Sequence, residues 1–381
     1  MEALQDVPDP RQARGKRYAW PFLLALITSA LGSGQRTGRA IAHWVALHSA
    51  ELLEQLRPPR RCLPSESTLR RVLGTIDLQA LEERLSRYTE GLAEVAQAGT
   101  IITPTGEVLQ GQAVDGKELR GVRAHGQPLC LVSLVQHGSG IVLAQTAVDQ
   151  KSNEITAVPP LLAGRDLHGT VTSMDALLAQ RELIQQIVNQ QGHYLVVVKE
   201  NQPELYHAIA LLFAQPPWLR QERDREYQAY RTLDKGHGRL ETRTLESSTA
   251  LCSYLDWPGV GQVLRRQCQR VSLKTGKVSV ETRYGLTSLR PEQAGAAQIE
   301  RLWRGHWTIE NRNHYVRDVT MGEDACQIHT GNTPHALAAL RNAILSLFRW
   351  KGWTNIAAAF RHYGASVLRT LELIGAVPAR L

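Results

Sequence analysis

The chain has 381 residues, of which 43% are hydrophobic and 21% are charged. This length allows two or three domains with cores that need no disulfides or structural metals, and the composition excludes a disordered chain. The formal net charge of +8 favours a polyanionic partner such as nucleic acid.

Five dispersed cysteines form neither a Cys-x-x-Cys pair nor a Cys/His cluster. This pattern indicates reduced thiols and a cytoplasmic location, and it argues against a zinc site. The apolar run YAWPFLLALITSAL at 18–31 is shorter than the roughly 20 residues that a membrane span needs. It therefore predicts a buried helix and no membrane partner.

Residues 1–100 are predicted to form a helical N-terminal domain that binds DNA. The segment SESTLRRVLGTID at 65–77 has a polar start, an apolar stripe, and Arg70 and Arg71 on an early turn. The second helix of a helix-turn-helix motif needs such a pattern, because its N-terminal side chains contact DNA. A capped surface helix is the alternative interpretation.

From residue 101 the pattern changes to alternating strands and helices. Three short apolar runs between 107 and 148 predict an antiparallel meander, followed by helix, strand (170–176), helix (180–191) and strand (193–201). This order predicts an α/β fold with a mixed sheet. We expect residues 101–201 to form the first part of the core, 202–290 a β-rich insertion, and 291–381 a helical C-terminal part.

Two aspartates occupy equivalent positions in this pattern. Asp115 follows an apolar run in AVDGKELRG (113–121), and Asp175 follows the next core strand in TVTSMDA. Asp-Gly is a common turn dipeptide, so we expect a turn that ends the strand and orients Asp115. If the two strands are neighbours, the carboxylates repel each other unless a cation such as Mg²⁺ lies between them.

A third acid, Glu310, lies in IERLWRGHWTIENRNHYVRD (299–318). On an α-helix, Trp303, His306, Glu310 and Arg317 share one face with Asn313, because they are three or four positions apart. Imidazole and guanidinium groups suit phosphate oxygens, and an aromatic ring can stack on a base. A solvated polar face is the alternative.

The segment KGHGR at 235–239 places His237 and Arg239 beside glycines. Such residues can approach a phosphate closely. A β-hairpin turn followed by a charged edge strand explains the pattern equally well.

Four ordered blocks carry a family resemblance: AVDGKELRG, VTSMDALLAQRELIQQIVNQQGHYLVVVKENQPEL, DKGHGRLETR and HWTIENRNHYVRDVTMGEDACQIHTGN. They resemble DDE transposases of the ISAs type, also called H-repeat-associated proteins. The resemblance covers nearly the whole chain, including DPRQARGKRYAWPFLLAL and LPSESTLRRVLGTID near the start. It implies an RNase H-like core in which Asp115, Asp175 and Glu310 hold Mg²⁺ or Mn²⁺.

The resemblance further implies a transposase that cleaves and transfers DNA strands at the ends of an insertion sequence. Its expected partners are double-stranded DNA, as terminal inverted repeats and target, and other copies of the chain in a dimer or larger synaptic complex in the bacterial cytoplasm. The expected DNA contacts are Lys117, Arg120, His237, Arg239, Trp303, His306, Arg317, Arg70 and Arg71.

Two rival functions share these residues. A metal-dependent nuclease would cleave without joining strands, and a decayed transposase would bind DNA without catalysis. The intact set of three acids argues against the second rival.

Overall fold

The computed structural model describes residues 1–14, 16–96, 98–124, 127–148, 153–215, 226–326, 328 and 330–378, without the side chains at 2, 120, 121, 123, 124, 127 and 128. The chain divides into two compact units, which we name by their content. The helical unit comprises Met1–Gln97, Gly116–Asn153 and Ile309–Leu381, and the sheet unit comprises Ala98–Asp115 and Glu154–Thr308.

Helices occupy most of the described chain before residue 97 and after residue 296. They are α1 (Glu2–Gln5), α2 (Trp20–Gly32), α3 (Gly38–Leu47), α4 (Ser49–Leu56), α5 (Glu66–Thr75), α6 (Leu78–Ala96), α7 (Glu154–Leu162), α8 (Arg181–Asn189), α9 (Pro203–Ala214), α10 (Ala296–Ile309), α11 (Thr333–Trp350), α12 (Ile356–Gly364) and α13 (Val367–Leu373). Two π-helical segments, π1 (Glu310–His314) and π2 (Val316–Thr320), follow α10.

Two enclosed helices form the centre of the helical unit. Helix α2 is buried from Leu23 to Gly32, and α11 is buried from Thr333 to Phe348. A helix that is apolar on nearly every side is stable only when other elements surround it. The apolar run near the N-terminus is therefore a core helix, as predicted. Among the described residues, no helix has the length and apolarity needed to cross a membrane.

The β-strands contribute to both units. They are β1 (Thr100–Ile102), β2 (Val108–Ala124), β3 (Gln127–Gln136), β4 (Val142–Ala147), β5 (Thr170–Met174), β6 (His193–Val198), β7 (Gln228–Gly236), β8 (Arg239–Ser248), β9 (Gln262–Ser272) and β10 (Val278–Thr287). In the sheet unit the order is β2-β5-β6-β10-β9-β8-β7, with β1 also paired to β2. In the helical unit β3 lies between β2 and β4.

The sheet is mixed, which confirms the predicted α/β class. Strands β2, β5 and β6 are parallel, because helical crossovers connect β5 and β6 to the strands before them. Strand β3 pairs antiparallel with β4, and β10 pairs antiparallel with β6. The segment predicted as a β-rich insertion therefore adds strands β7 to β10 to the sheet that contains β6.

A hydrophobic core within the sheet unit fixes the position of α10. Ile299, Leu302 and Trp303 of this helix pack with buried residues of the strands, including Leu195 and Leu264. The contact between helix and sheet is close. A Cβ atom on Gly285 of β10 would lie 2.8 Å from the Trp303 ring, so only glycine fits there.

Strand β2 continues through Asp115 and Gly116 without a turn, so the predicted strand end at this dipeptide is wrong. Gly116 is also absent from the residues with positive φ. The Asp-Gly pair is an ambiguous signal, because pairing along a long strand overrides the turn preference of two residues. Asp115 is therefore oriented by its position in a strand.

The turn between β7 and β8 is a two-residue hairpin. His237 and Gly238 have φ values of 50° and 71°, and Gly236 pairs with Arg239 across the turn. Two consecutive positive φ values are typical of a type I′ turn, whose twist matches that of the flanking strands. The hairpin alternative for KGHGR is thus the local structure, and β7 is the edge strand.

Candidate active site

Two aspartates lie at equivalent levels on neighbouring parallel strands of the sheet unit. Ala113 of β2 is aligned with Ser173 of β5, and Asp115 and Asp175 are each two residues further along. Because neighbouring strands are about 4.8 Å apart, this register brings the backbones of the two acids to the same level of the sheet. Both are half-buried. The predicted adjacency of these strands is confirmed.

Asp175 is fixed by the backbone that follows it. Its Oδ1 accepts hydrogen bonds from the N–H groups of Leu177 at 3.0 Å and Leu178 at 3.3 Å. Asn201, just after β6, donates from Nδ2 to the carbonyl oxygen of Ala176 at 2.6 Å. The carboxylate is thus held in one orientation at the end of β5, as a side chain in a preorganised site must be.

His306 on α10 is attached to the same strand. Its Nδ1 is 3.1 Å from the Oγ of Ser173, and that Oγ donates to the carbonyl oxygen of Gln112 at 3.0 Å. A serine hydroxyl has one proton, which is directed to the carbonyl, so Nδ1 must be the donor to Ser173. Nε2 then carries the lone pair in the neutral ring. No pattern in the sequence indicates this role for Ser173, two residues before Asp175.

Glu310 lies one helical turn after His306, where α10 passes into π1. Its side chain is 48% exposed, and its Oε1 is 3.6 Å from Nδ1 of His314. Burial lowers the pKa of His314, while Glu310 opposes this shift. A neutral imidazole beside a carboxylate is a donor set that can join in holding a cation. The four-residue spacing of Glu310 and His314 is the sequence pattern that indicates this pair.

The two π-helical segments break the predicted helix face. A π-turn is wider than an α-turn, so residues after it are rotated relative to the α-helical pattern. Glu310 is exposed, whereas Asn313 and Arg317 are 0% exposed. Asn313 donates to Asn342 of α11 at 2.9 Å. The prediction that one face presents all these residues to DNA is therefore wrong.

Arg317 belongs to a buried ion cluster instead of a DNA surface. Its Nε donates to Glu323 at 2.7 Å, and Arg341 of α11 contacts the other oxygen of Glu323 at 3.0 Å. Burial alone would raise the pKa of Glu323, but the nearby guanidinium groups hold this pKa below its ordinary value. A guanidinium enclosed in this way is not available to a phosphate, so the predicted DNA contact of Arg317 is wrong.

Lys117 is likewise buried and paired. Its Nζ contacts the carboxylates of Asp318 and Asp324, the second at 3.7 Å, and the residue is 7% exposed. Two carboxylates already bind this ammonium group, so the predicted contact of Lys117 with a scissile phosphate is wrong. Asp318 and Asp324, which follow Glu310 in the sequence, are therefore the ion-pair partners of Lys117.

Trp303 is a core residue with 2% exposure. Its ring packs against Gly285 and lies 6.0 Å from the guanidinium of Arg266. Because no face of the ring is open to a base, the predicted stacking role is wrong.

The remaining predicted DNA contacts are spread over different elements. Arg70 and Arg71 are exposed on α5, and His237 is exposed in the hairpin turn. Arg239 is 47% exposed and contacts Glu241 at 2.5 Å. The side chain of Arg120 lies outside the described residues. These positions stay predictions.

Similarity to known proteins agrees with this geometry. Residues 108–347 match the family described as the transposase DDE domain, and residues 1–89 match the DDE_Tnp_1-associated family. The chain is 28% identical to the putative transposase YncI of Escherichia coli O157:H7, over 92% of this chain and 87% of the relative. It is 26% identical to the H repeat-associated putative transposase YhhI of Escherichia coli K12, over 91% and 89%.

Among solved structures, the cryo-EM structure of a piggyBac transposase synaptic complex with hairpin DNA aligns with a TM-score of 0.45 and 8% identity. The alignment covers 100% of this chain and 78% of that one. The family match spans more than half of the chain and includes all three acids. The chain therefore belongs to the transposase DDE domain family.

Proposed function

We propose that the chain is a metal-dependent polynucleotidyl transferase that cleaves DNA strands at the ends of an insertion sequence and transfers them to target DNA. The observation that supports this proposal is the parallel register of β2 and β5, in which Asp115 and Asp175 each follow an aligned pair of residues by two positions. Membership of the transposase family supports the same chemistry.

The donor set fits a divalent cation. Two half-buried carboxylates on neighbouring strands repel each other, and a cation relieves this repulsion. Oxygen ligands suit Mg²⁺ and Mn²⁺. We assign the third carboxylate to Glu310, because it follows His306 by one turn and His306 is bonded to Ser173 of the Asp175 strand. When bound, the metal supplies Lewis acidity that lowers the cost of charge developing on phosphate oxygens.

The protein groups have distinct roles in this proposal. Asp115, Asp175 and Glu310 hold the metal, and the backbone bonds to Asp175 keep its carboxylate oriented. His306, with Nδ1 directed to Ser173, presents Nε2 as a hydrogen-bond acceptor. A hydrogen-bond acceptor in the proposed site suits a water molecule or a DNA 3′-hydroxyl that loses a proton during the reaction.

The proposed substrate is double-stranded DNA with terminal inverted repeats. A dimer or larger assembly of the chain would bring two such ends together. His237 and Arg239 in the exposed hairpin are proposed phosphate contacts, together with Arg120. Phosphate contacts of this kind make binding strongly dependent on salt concentration.

The test is to replace each proposed metal ligand with its isosteric amide. Asp115→Asn, Asp175→Asn and Glu310→Gln should each lower Mg²⁺-dependent strand cleavage by roughly 100-fold or more, because a charge that acts in the transition state is lost. Glu118→Gln is the matched control, since Glu118 is exposed and lies on the same strand as Asp115. The measurement is product formation on DNA carrying the element's ends, with and without a chelator.

The products separate the proposed function from its rivals. Joined strands support a transposase, and cleaved strands that never join indicate a nuclease. A wild-type protein that binds DNA but forms no product with Mg²⁺ or Mn²⁺ indicates a decayed enzyme. Full activity in all three amide variants would show that the acids are wrongly assigned.

A further inference from the structure

A groove of about 680 Å³ opens in the helical unit between the start of α3, the length of α5 and the segment that leads into α11. Its walls include the first turns of α3 and α5 and the segment that leads into α11. Thr37, Ser67 and Thr333, which lie at or next to these helix starts, all line it. The groove therefore combines hydroxyl groups with the ends of helices whose first N–H groups have no partner within the helix.

Arginines dominate the charge of this groove. Arg39 of α3 and Arg70 and Arg71 of α5 line it, and all three are exposed. Glu66 is the single acid among the described lining residues. The surface is therefore positive and accessible, and Arg39 extends the cationic surface beyond the pair on α5.

The walls are held together by contacts between distant segments. Asn332 donates from Nδ2 to the carbonyl oxygen of Ile76 at 2.8 Å. A Cβ on Gly331, whose φ is 55°, would lie 2.9 Å from the carbonyl oxygen of Gly74, so only glycine allows this close approach. The groove is thus a fixed feature of the fold, in which its cations are already positioned.

The groove differs from a helix-turn-helix surface. In that motif a turn of three or four residues joins the two helices, whereas residues 57–65 separate α4 from α5. Arg71 also turns back along its own helix, where its Nε donates to the carbonyl oxygen of Ser67 at 3.2 Å. Helix α5 is therefore one wall of a groove and does not have the spacing of a recognition helix.

We propose that this groove binds the phosphodiester backbone of double-stranded DNA without reading its sequence. Guanidinium groups, hydroxyls and helix N-termini are the groups that contact phosphates in protein–DNA complexes. The inference rests on the proposed function for the identity of the polyanion, and it gives Arg39, Arg70 and Arg71 a role in holding DNA and none in the reaction.

The test uses the full chain with Arg39→Gln and Arg70→Gln together. Glutamine keeps part of the aliphatic stem and a polar end, and it removes the positive charge and the guanidinium donors. The control is Arg87→Gln with Arg361→Gln, two exposed arginines of the same unit that do not line the groove. Affinity for fluorescent duplexes of several unrelated sequences is measured in a chelator over a range of salt concentrations.

Loss of two phosphate contacts should lower the slope of log affinity against log salt by about 2, and affinity at about 0.1 M salt by 10- to 100-fold. The loss should be equal for every duplex, and the control pair should change little. Equal losses in both pairs, or an unchanged salt slope, would overturn the proposal. A loss that depends on the sequence of the duplex would indicate base reading and would also overturn the proposal.

Failure of this inference is distinct from failure of the proposed function. Binding in a chelator does not require the reaction, and strand cleavage by the wild-type protein is measured separately. A groove variant with normal binding alongside an active wild-type protein would refute only the groove.

Discussion

The acids of this chain occupy two contrasting environments. Glu323 is 2% exposed and is shared by two guanidinium groups, whereas Asp115 and Asp175 are half-buried at aligned strand positions and Glu310 is 48% exposed. Removing one member of a buried ion cluster leaves an uncompensated charge inside the fold and destabilises it. Carboxylates that solvent can reach are suited to a cation from outside. The contrast predicts that the first kind of acid governs stability and the second governs activity.

The strongest test of this contrast is Glu323→Gln. It leaves Arg317 and Arg341 buried without their counter-charge, so the free energy of unfolding should fall by about 3 to 5 kcal/mol. Urea unfolding measures this loss. Glu118→Gln, on an exposed side chain, should stay within about 0.5 kcal/mol. A loss below about 1 kcal/mol would mean that the cluster does not stabilise the fold.

The opposite outcome is expected for the proposed metal ligands. In the absence of metal, Asp115→Asn and Asp175→Asn should change the free energy of unfolding by less than about 1 kcal/mol, because removing one charge relieves repulsion between neighbours. The same urea experiment gives the measurement. Destabilisation as large as that of Glu323→Gln would assign these acids a structural role and weaken the contrast.

Acid should weaken the cluster in a defined pH range. The pKa of Glu323 is lowered in the folded protein, so its contribution to stability is complete above the unfolded value of about 4.3 and is lost as the pH falls through the lower folded value. The unfolding free energy of Glu323→Gln should therefore depend less on pH over this range than that of the wild type. Identical pH dependence would show that other groups cause the acid lability.

Ser173→Ala should sharpen the assignment of His306. Without the hydroxyl, Nδ1 of His306 loses its acceptor, and we expect kcat to fall by roughly tenfold with KM unchanged, as for other residues that orient a functional side chain. Ser173→Thr keeps a hydroxyl and should restore part of the rate. Parallel losses of activity and folded protein would indicate a packing role alone.

The smallest expected effect on stability is that of a substitution in the turn between β7 and β8. His237 has a φ of 50°, so His237→Gly should preserve the fold and change the unfolding free energy by less than about 1 kcal/mol. Reduced DNA affinity with unchanged stability would support His237 as a phosphate contact. Unchanged affinity would leave it a turn residue.

The sequence predicted the architecture better than the directions of its side chains. The succession of core strands and helices along the chain and the adjacency of the Asp115 and Asp175 strands followed from apolar runs and their connections. The burial of Lys117, Trp303 and Arg317 could not be predicted from the sequence. Their partners come from other segments, and helix periodicity fails across π-helical turns. A basic residue near a catalytic acid has the same sequence pattern whether it contacts DNA or an internal carboxylate.

The contacts between the first and last parts of the chain affect the order of folding during synthesis. Helices α2, α5 and α6 pack against α11, and the amino group of Met1 bonds to the carbonyl of Ile374. A ribosome adds about 5 to 20 residues per second, so α2 is exposed for many seconds before α11 emerges. We therefore expect the nascent N-terminal helices to depend on chaperones, and a chain interrupted before residue 333 to aggregate.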